Sequence, residues 1–287
     1  MNFRGKNFKH KHSLGQNFII DEFLLEDIAD ESHITKDDYV LEIGPGNGAL
    51  TRCLLDRVKY VIAVEIDRSL IPLLKDNLKD YDNATIINAD FLNYDFMNIL
   101  DEFSLHGFNK DIDHIKVVAN LPYYITSMII HNLLINPYIS EMTLMVQKEV
   151  AERIVATHGG RDYGILTLSC EYFAKTELLM VVSKECFMPI PKVDSAVVHF
   201  VKYDNFIDLK NNENFHIEDK DEYKKLFSTI KASFSQRRKK LINSLSNVGG
   251  YDKTVLTSAF TKLNFDESVR AEDLSLEDYR KLSNLLS

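Results

Sequence analysis

Five short apolar runs, separated by segments of helical periodicity, constrain the fold of the first half of the chain. Each run is apolar at nearly every position, which is typical of parallel strands covered on both faces. Between the first two runs, Leu50, Leu54 and Val58 recur at helical spacing. We therefore predict an α/β domain with a doubly wound, mostly parallel sheet of the Rossmann-like kind. The runs are YVLEIG (39–44), YVIAVEID (60–67), ATIINAD (84–90), IKVVAN (115–120) and EMTLMVQ (141–147).

Polar residues and glycines lie where four of these strands end. A glycine-rich turn follows the first strand, and Glu65, Asp90 and Asn120 lie at the ends of the next three. In a doubly wound sheet, ligands bind beyond the carboxyl ends of the strands. The sequence therefore predicts one cleft lined by all four ends.

Composition excludes several classes of protein. The chain has 287 residues and a formal net charge of -9, which argues against nonspecific coating of nucleic acid. Its three cysteines are widely spaced without a C-x-x-C, so we expect neither a disulfide framework nor a metal site. No apolar run approaches the ~20 residues of a membrane span, and the N-terminus lacks the apolar core of a secretory signal. We expect a cytoplasmic protein with no metal and no membrane association.

A second domain is expected after a change in composition at residues 203–221, where Asn and acidic residues replace the periodic pattern. Two apolar stripes beyond this segment predict helices, and Ser275 with Asp278 predicts the capping box of a last helix. We therefore assign residues 1–203 to a catalytic domain and 204–287 to a small helical domain. The stripes are Tyr223, Leu226, Phe227, Ile230 and Phe234, then Val255, Leu256, Ala259, Phe260 and Leu263.

The glycine turn EIGPGNG (42–48) is compatible with three kinds of structure. A nicotinamide-binding fold uses G-x-G-x-x-G to seat a pyrophosphate and an acid ~20 residues later to bind a ribose, and Glu65 meets that second requirement. Here the spacing is G-x-G-x-G, and the nearby Glu42 suits a cationic amino group. S-adenosylmethionine carries an ammonium and a ribose diol but no phosphate. We favour a methyl-donor site over a dinucleotide site or an ordinary tight turn.

The turn ANLPYYI (119–125) resembles the Asn/Asp-Pro-Pro-Tyr signature of methyltransferases that modify an exocyclic amine of a nucleobase. Such an amine is a poor nucleophile because its lone pair is delocalised into the ring. The Asn120 side-chain oxygen and the Leu121 carbonyl would hold its two hydrogens, and Pro122 would keep that carbonyl outward. Tyr123 offers a flat face to a base taken out of its stack. Since a neutral Asn is not a strong base, the implied mechanism is positioning for in-line attack.

A simpler interpretation of the same turn is a strand-to-helix connection in which Asn120 caps the helix and Pro122 occupies its first turn. This alternative gives no reason for the turn to lie beside a methyl-donor loop.

An ordered series of motifs extends the resemblance over nearly the whole chain. The sequence is similar to the ribosomal RNA adenine dimethyltransferase family, and within it to the bacterial enzymes that act on small-subunit RNA. The resemblance implies a class I S-adenosylmethionine-dependent methyltransferase that dimethylates the 6-amino groups of two adjacent adenosines near the 3′ end of 16S rRNA, late in 30S biogenesis. We expect a monomer whose partner is small-subunit rRNA in an immature 30S particle. The motifs are HSLGQNFI (12–19), EIGPGNGALT (42–51), VEID (64–67), NADFL (88–92), ANLPYYIT (119–126), MVQKEVAERI (145–154), FMPIPKVDSAV (187–197) and FSQRRKKL (234–241).

The resemblance also implies roles for the matched residues. Glu65 would grip the ribose hydroxyls of the donor, and Asp90 would accept from the donor's adenine amino group. Phe187 would pack on the target adenine opposite Tyr123, although a core aromatic is an equally good interpretation of this residue. The implied donor-binding residues are Asn17, Ile19, Gly44, Gly46, Glu65, Ile66, Asp90, Phe91 and Asn120. The implied catalytic residues are Asn120, Leu121, Pro122, Tyr123 and Phe187.

Local basic charge predicts an RNA-binding surface despite the acidic total. A basic cluster is expected at the start of a helix, where its side chains would project around the cylinder and contact phosphates. For Lys224 and Lys225, a solvated helix face is an open alternative. Residues 1–20 are also basic and contain no acidic residue. The cluster consists of Arg237, Arg238, Lys239 and Lys240.

Three alternative functions remain open. A 23S rRNA adenine methyltransferase of the macrolide-resistance type shares the donor site and the N-x-P-Y turn, but Tyr124 and the complete FMPIPKVDSAV favour the small-subunit enzyme. A noncatalytic ribosome-assembly factor would share the fold, but the intact Glu65, Asp90 and Asn120 favour an enzyme. A nicotinamide-dependent oxidoreductase gives no role to the Asn-Leu-Pro-Tyr turn or to the basic cluster.

Overall fold

The computed structural model describes residues 2–3, 6–7, 16–204, 220–236 and 238–286, and the chain divides into two units. The first unit runs to Ala151 and resumes at Thr176, and the second consists of Glu152–Lys175 with the described residues from Lys220 onward. The expected boundary at 203/204 therefore differs from the division in the structure, where residues 152–175 belong with the C-terminal helices. The expected linker falls largely outside the described residues.

Strands and helices alternate in the first unit in the predicted order. The elements from the N-terminus are β1 (Asn2–Phe3), β2 (Lys6–Asn7), β3 (Phe18–Ile19), α1 (Glu22–Asp30), β4 (Tyr39–Ile43), α2 (Ala49–Leu55), β5 (Tyr60–Glu65), α3 (Ile71–Asn77), β6 (Ala84–Asn88), α4 (Phe96–Leu105), β7 (Ile115–Asn120), α5 (Thr126–Ile135), β8 (Ile139–Gln147) and α6 (Lys148–Ile154). They are followed by α7 (Ile165–Phe173), β9 (Ala174–Val182), β10 (Phe187–Met188) and β11 (Ser195–Lys202).

Seven strands form one sheet in the order β6-β5-β4-β7-β8-β11-β9. The five strands predicted from the sequence are all present, and each is parallel to its neighbours among the five. The sequence did not predict β9 or β11, of which β11 pairs antiparallel with β8. Two short pairs, β1 with β2 and β3 with β10, lie outside this sheet. The predicted doubly wound, mostly parallel sheet is thus confirmed.

Burial on both faces explains why the predicted strands are apolar at nearly every position. Every residue of β4 and β5 is buried, because these two strands lie inside the sheet with helices over them. By contrast, β6 is only half-buried, since it lies at the edge of the sheet. Asp21 begins α1 by accepting hydrogen bonds from the backbone N–H groups of Phe23 and Leu24.

The second unit is helical. Its described residues contain α7 and the further helices α8 (Lys220–Phe234), α9 (Leu241–Asn247), α10 (Lys253–Leu263) and α11 (Leu276–Leu285). The predicted capping box is present, since the Ser275 hydroxyl accepts from the Asp278 N–H at 3.1 Å and Asp278 accepts from the Ser275 N–H at 3.1 Å. Both predicted stripes enter its core through Leu226, Ile230 and Phe260. No helix in the described part of the chain is long and apolar enough to span a membrane.

Candidate active site

The carboxyl ends of β4, β5, β6 and β7 converge on one cleft in the first unit, as the sequence predicts. Its volume is about 980 Å³ including the open mouth. All of the predicted donor-binding residues, and every predicted catalytic residue except Phe187, line it. These lining residues are Asn17, Ile19, Gly44, Gly46, Glu65, Ile66, Asp90, Phe91, Asn120, Leu121, Pro122 and Tyr123.

The glycine turn after β4 brings main chain to the wall of the cleft. Gly46 has a φ of +60°, and a Cβ there would lie 2.8 Å from a ring carbon of Phe18, so a side chain would strain the backbone and force the ring to move. Its N–H donates to the Glu65 carboxylate at 3.0 Å. Gly48 has a φ of +79° and stands at the N-cap of α2. The turn is therefore held in one conformation by contacts from both sides.

Glu42 is a buried carboxyl group on the wall of the cleft. It is 2% exposed, and its Oε2 has no hydrogen-bond partner among the described residues. Burial, reinforced by the charge of Glu65 and partly offset by the Thr51 hydroxyl, raises the pKa of Glu42 to about 8. A cationic ligand beside this carboxyl group would favour its ionised form.

Glu65 organises the turns around it as well as facing the cleft. One carboxylate oxygen accepts from the Gly46 N–H and the other from the Asp67 N–H at 2.7 Å. Burial raises the pKa of Glu65, although these two backbone donors oppose the shift. Asp90 is likewise constrained, because it accepts from the Leu92 N–H at 3.1 Å and from the Asn93 amide at 2.7 Å. Each carboxylate oxygen has a second lone pair, so these bonds leave acceptor capacity for a ligand.

The segment before α1 lies against the cleft and is tied to it by two side chains. The Gln16 amide donates to Asp67 at 2.7 Å, and the Asn120 amide donates to the Asn17 carbonyl at 3.2 Å. Phe18 packs against Gly46. Sequence reasoning identified Asn17 and Ile19 but missed Gln16 and Phe18, for which the only signal was their membership of the same short motif.

The Asn-Leu-Pro-Tyr turn is anchored at both ends. The Leu121 N–H donates to the Met145 carbonyl of β8 at 3.0 Å, and the Pro122 carbonyl accepts from the Thr126 hydroxyl at 2.9 Å. Because the Asn120 amide nitrogen donates to Asn17, the side-chain oxygen is left as an acceptor beside the cleft. Ile125 occupies the N-cap of α5, so the alternative in which Asn120 caps this helix is wrong.

Tyr123 is fixed through its hydroxyl group. Its oxygen lies 2.7 Å from the hydroxyl oxygen of Ser195, a fully buried residue at the start of β11. Burial raises the pKa of Tyr123, so the phenol stays neutral. Ser195 was missed as a candidate, although it lies inside the motif FMPIPKVDSAV that the sequence analysis singled out.

Phe187 does not line the cleft. It is fully buried in the apolar core of the first unit, and its strand β10 pairs with Ile19 of β3. The expected sandwich of a target base between Tyr123 and Phe187 is not formed here, since neither face of the buried Phe187 ring is open to a ligand, and the role of Phe187 stays a prediction. The structure shows the core aromatic that the sequence left as an equal alternative.

The basic cluster occupies a turn rather than the start of a helix. Arg238, Lys239 and Lys240 are exposed and lie between α8 and α9, with Lys240 at the N-cap of α9. Arg237 lies outside the described residues. The expected helix start was wrong because α8 ends at Phe234 and the next helix begins only with the buried Leu241. Lys224 and Lys225 are exposed on α8.

The sheet order, the glycine turn after β4 and the Asn-Leu-Pro-Tyr turn after β7 together define a class I methyltransferase fold that carries the signature of exocyclic amine methylation. The family model for ribosomal RNA adenine dimethylase matches residues 7–287. The chain belongs to this family and is an rRNA adenine methyltransferase.

Named relatives and solved structures agree with this assignment. A protein named ribosomal RNA small subunit methyltransferase A from Clostridium botulinum (strain Loch Maree / Type A3) is 43% identical, with 97% of this chain and 94% of that protein covered. The protein of the same name from Clostridioides difficile (strain 630) is 39% identical, with coverages of 98% and 92%. A dimethyladenosine transferase from Plasmodium falciparum matches with a TM-score of 0.72 at 25% identity, covering 92% and 95% of the two chains. The 23S rRNA methyltransferase ErmE matches with a TM-score of 0.66 at 25% identity, covering 94% and 99%.

Proposed function

We propose that this enzyme uses S-adenosylmethionine to dimethylate the 6-amino groups of two adjacent adenosines near the 3′ end of small-subunit rRNA. It acts as a cytoplasmic monomer on an immature 30S particle. The name of the relatives at 39–43% identity supports the small subunit as the target. The observation that carries the chemistry is the shared cleft, which joins the glycine turn and its acids to the Asn-Leu-Pro-Tyr turn.

The side chains of the cleft fit a cationic methyl donor. The charged residues among its described lining are Glu42, Glu65 and Asp90, all of them acids. Glu42 presents a buried, unpartnered oxygen to an ammonium group, and Gly46 lets the main chain approach without steric conflict. Glu65 would take the ribose hydroxyls and Asp90 the adenine amino group. When bound, S-adenosylmethionine supplies an electrophilic methyl group on a sulfonium sulfur.

The Asn-Leu-Pro-Tyr turn positions the amine that is methylated. The Asn120 oxygen and the Leu121 carbonyl accept its two hydrogens, which favours a pyramidal nitrogen with its lone pair free. The anchoring of Leu121 to Met145 and of Asn120 to Asn17 holds these acceptors before the substrate arrives. With the donor bound, the amine nitrogen would form a bond to the methyl carbon as the carbon–sulfur bond breaks with its electron pair going to sulfur, and the amine proton would leave to water afterwards. Preorganisation of this kind contributes ~7 to 11 kcal/mol in well-oriented reactions.

RNA binding is assigned to the helical region at 204–287. The exposed Arg238, Lys239 and Lys240 contact phosphates, which sets affinity and position but carries no sequence information. The choice of two adjacent adenosines follows from the shape of the RNA in the particle.

The test is transfer of labelled methyl groups from S-adenosylmethionine to 30S subunits that lack the modification and, in parallel, to protein-free 23S RNA. Nucleoside analysis that finds dimethyladenosine at two adjacent positions of the small-subunit RNA supports the proposal. Label only in 23S RNA would assign the chain to the macrolide-resistance type. Binding to 30S subunits without any label would make it an assembly factor.

A further inference from the structure

One aromatic side chain of the cleft is exposed and has no assigned role. Among the described residues, four aromatic side chains line the cleft, namely Phe18, Phe91, Tyr123 and Tyr124. Phe18 is 7% exposed beneath the glycine turn, and Phe91 and Tyr123 are half-buried, whereas Tyr124 is 55% exposed. Tyr124 therefore presents the most open aromatic surface of the cleft.

The exposure of Tyr124 is built into the fold. The turn that carries it is closed on both sides, because the Pro122 carbonyl accepts from the Ile125 N–H at 3.3 Å and from the Thr126 hydroxyl at 2.9 Å.

Tyr123 and Tyr124 differ in depth as well as in exposure. The Tyr123 hydroxyl is bonded to the buried Ser195, which fixes that ring at the inner part of the turn. Tyr124 is the next residue and is the more exposed of the two. Phe187 is fully buried, so neither face of its ring is available to stack on a base.

We propose that Tyr124 stacks on the nucleobase adjacent to the one that is being methylated. A polynucleotide that inserts its reactive base beside Asn120 and Tyr123 must leave the neighbouring base at the mouth of the cleft, where Tyr124 lies. Every nucleobase has a flat face that an exposed tyrosine ring can cover, and such stacks contribute ~1 to 3 kcal/mol. Tyr124 is thus a substrate-binding residue that favours two unpaired bases in a row.

This inference rests on the proposed function, in which the neighbouring base is the second adenosine. The stack would hold the partner adenosine close to the cleft while the first is modified. Loss of the stack would therefore weaken substrate binding and increase the fraction of particles released with only one of the two adenosines modified.

The experiment compares Tyr124→Ala and Tyr124→Phe with Met128→Ala. Met128 is a matched control, because it is 54% exposed on the first turn of α5 and does not line the cleft. For each variant, KM and kcat are measured on whichever RNA the wild type methylates, with the ratio of singly to doubly modified product. The dissociation constant for unmodified 30S subunits is measured without the donor, so the comparison can be made even if no transfer occurs.

We expect Tyr124→Ala to raise KM and the dissociation constant by about 5- to 150-fold, the equivalent of one stack. The value of kcat should change little, and singly modified product should accumulate. Tyr124→Phe keeps the ring and should behave as the wild type, as should Met128→Ala. A Tyr124→Ala variant that binds and turns over as Met128→Ala does would overturn the inference, as would a loss confined to kcat. Failure of the proposed function would instead appear as absent or misplaced label in the wild type.

Discussion

The hydrogen bond between Tyr123 and Ser195 provides a direct test of how the Asn-Leu-Pro-Tyr turn is held in place. The two hydroxyl oxygens are 2.7 Å apart and Ser195 is completely buried, so the serine hydroxyl cannot turn to water if the phenol is removed. Tyr123→Phe leaves the serine hydroxyl without this hydrogen-bond partner, and Ser195→Ala does the same to the phenol. Each single substitution should cost about 1–3 kcal/mol, the penalty for a buried group left unsatisfied.

The double variant removes both hydroxyl groups and leaves no stranded donor. Its cost should therefore be smaller than the sum of the two single costs by about 1 kcal/mol, which is typical of a direct hydrogen-bonded pair. The measurement is equilibrium urea unfolding of all four proteins, with the slope of each transition compared before free energies are calculated. Additive single costs would refute the claim that these hydroxyls act as a pair.

A second pair separates the structural from the functional effect. The Tyr60 hydroxyl lies 3.0 Å from that of Thr85, and neither residue lines the cleft. Tyr60→Phe should lower stability without changing kcat/KM. Tyr123→Phe and Ser195→Ala should both lower kcat/KM, because the ring that receives the target base is no longer fixed. Equal kcat/KM values for Tyr60→Phe and Tyr123→Phe would show that the Ser195 bond serves folding alone.

Three further predictions follow from the cleft and the basic turn. Asn120→Ala should keep donor binding within a few-fold but lower kcat by about 10²- to 10³-fold, because it removes one preorganised polar group. The measurement is labelled methyl transfer, with Asn98→Ala at an exposed position as the control. The folded-state pKa of Glu42 is raised from 4.5 to about 8, so the free protein holds a proton that the unfolded chain loses, and its stability should fall as pH rises across that window. Glu42→Gln should remove this slope in thermal unfolding and weaken donor binding. Replacing Arg238, Lys239 and Lys240 with Gln should make the slope of log K against log [salt] for RNA binding shallower by about 0.7–0.9 for each lost phosphate contact. An unchanged slope would show that these side chains form an ordinary solvated surface.

Local patterns predicted the parts of the fold that depend on short stretches of chain. The five parallel strands and the capping box at Ser275 are present because burial on both faces and a side-chain cap each leave a mark within a few residues. The convergence of Glu65, Asp90 and Asn120 was predictable for a related reason, since the carboxyl ends of parallel strands share one edge of a sheet.

Long-range contacts account for what the sequence did not predict. The burial of Phe187 depends on pairing between β10 and β3, which are separated by most of the catalytic unit. The Tyr123–Ser195 bond spans 72 positions, and the Gln16–Asp67 bond spans 51. The turn at Arg238 was mistaken for a helix start because four basic residues carry no signal for where a helix ends. The grouping of 152–175 with the C-terminal helices rests on apolar contacts such as that between Tyr172 and Phe227, whose ring centroids are 5.5 Å apart.

The charged residues of the cleft favour a methyl donor over a dinucleotide. The glycine spacing and Glu65 left this choice open. A pyrophosphate would bring negative charge into a cleft whose described charged lining is Glu42, Glu65 and Asp90. Burial, with a smaller contribution from the charge of Glu65, already makes ionisation of Glu42 costly, as its raised pKa records. An anionic ligand would push the pKa of Glu42 higher still. An ammonium group would lower that pKa, because it stabilises the ionised carboxylate. Donor binding near neutral pH should then release a proton, which calorimetry in two buffers of different ionisation enthalpy can count.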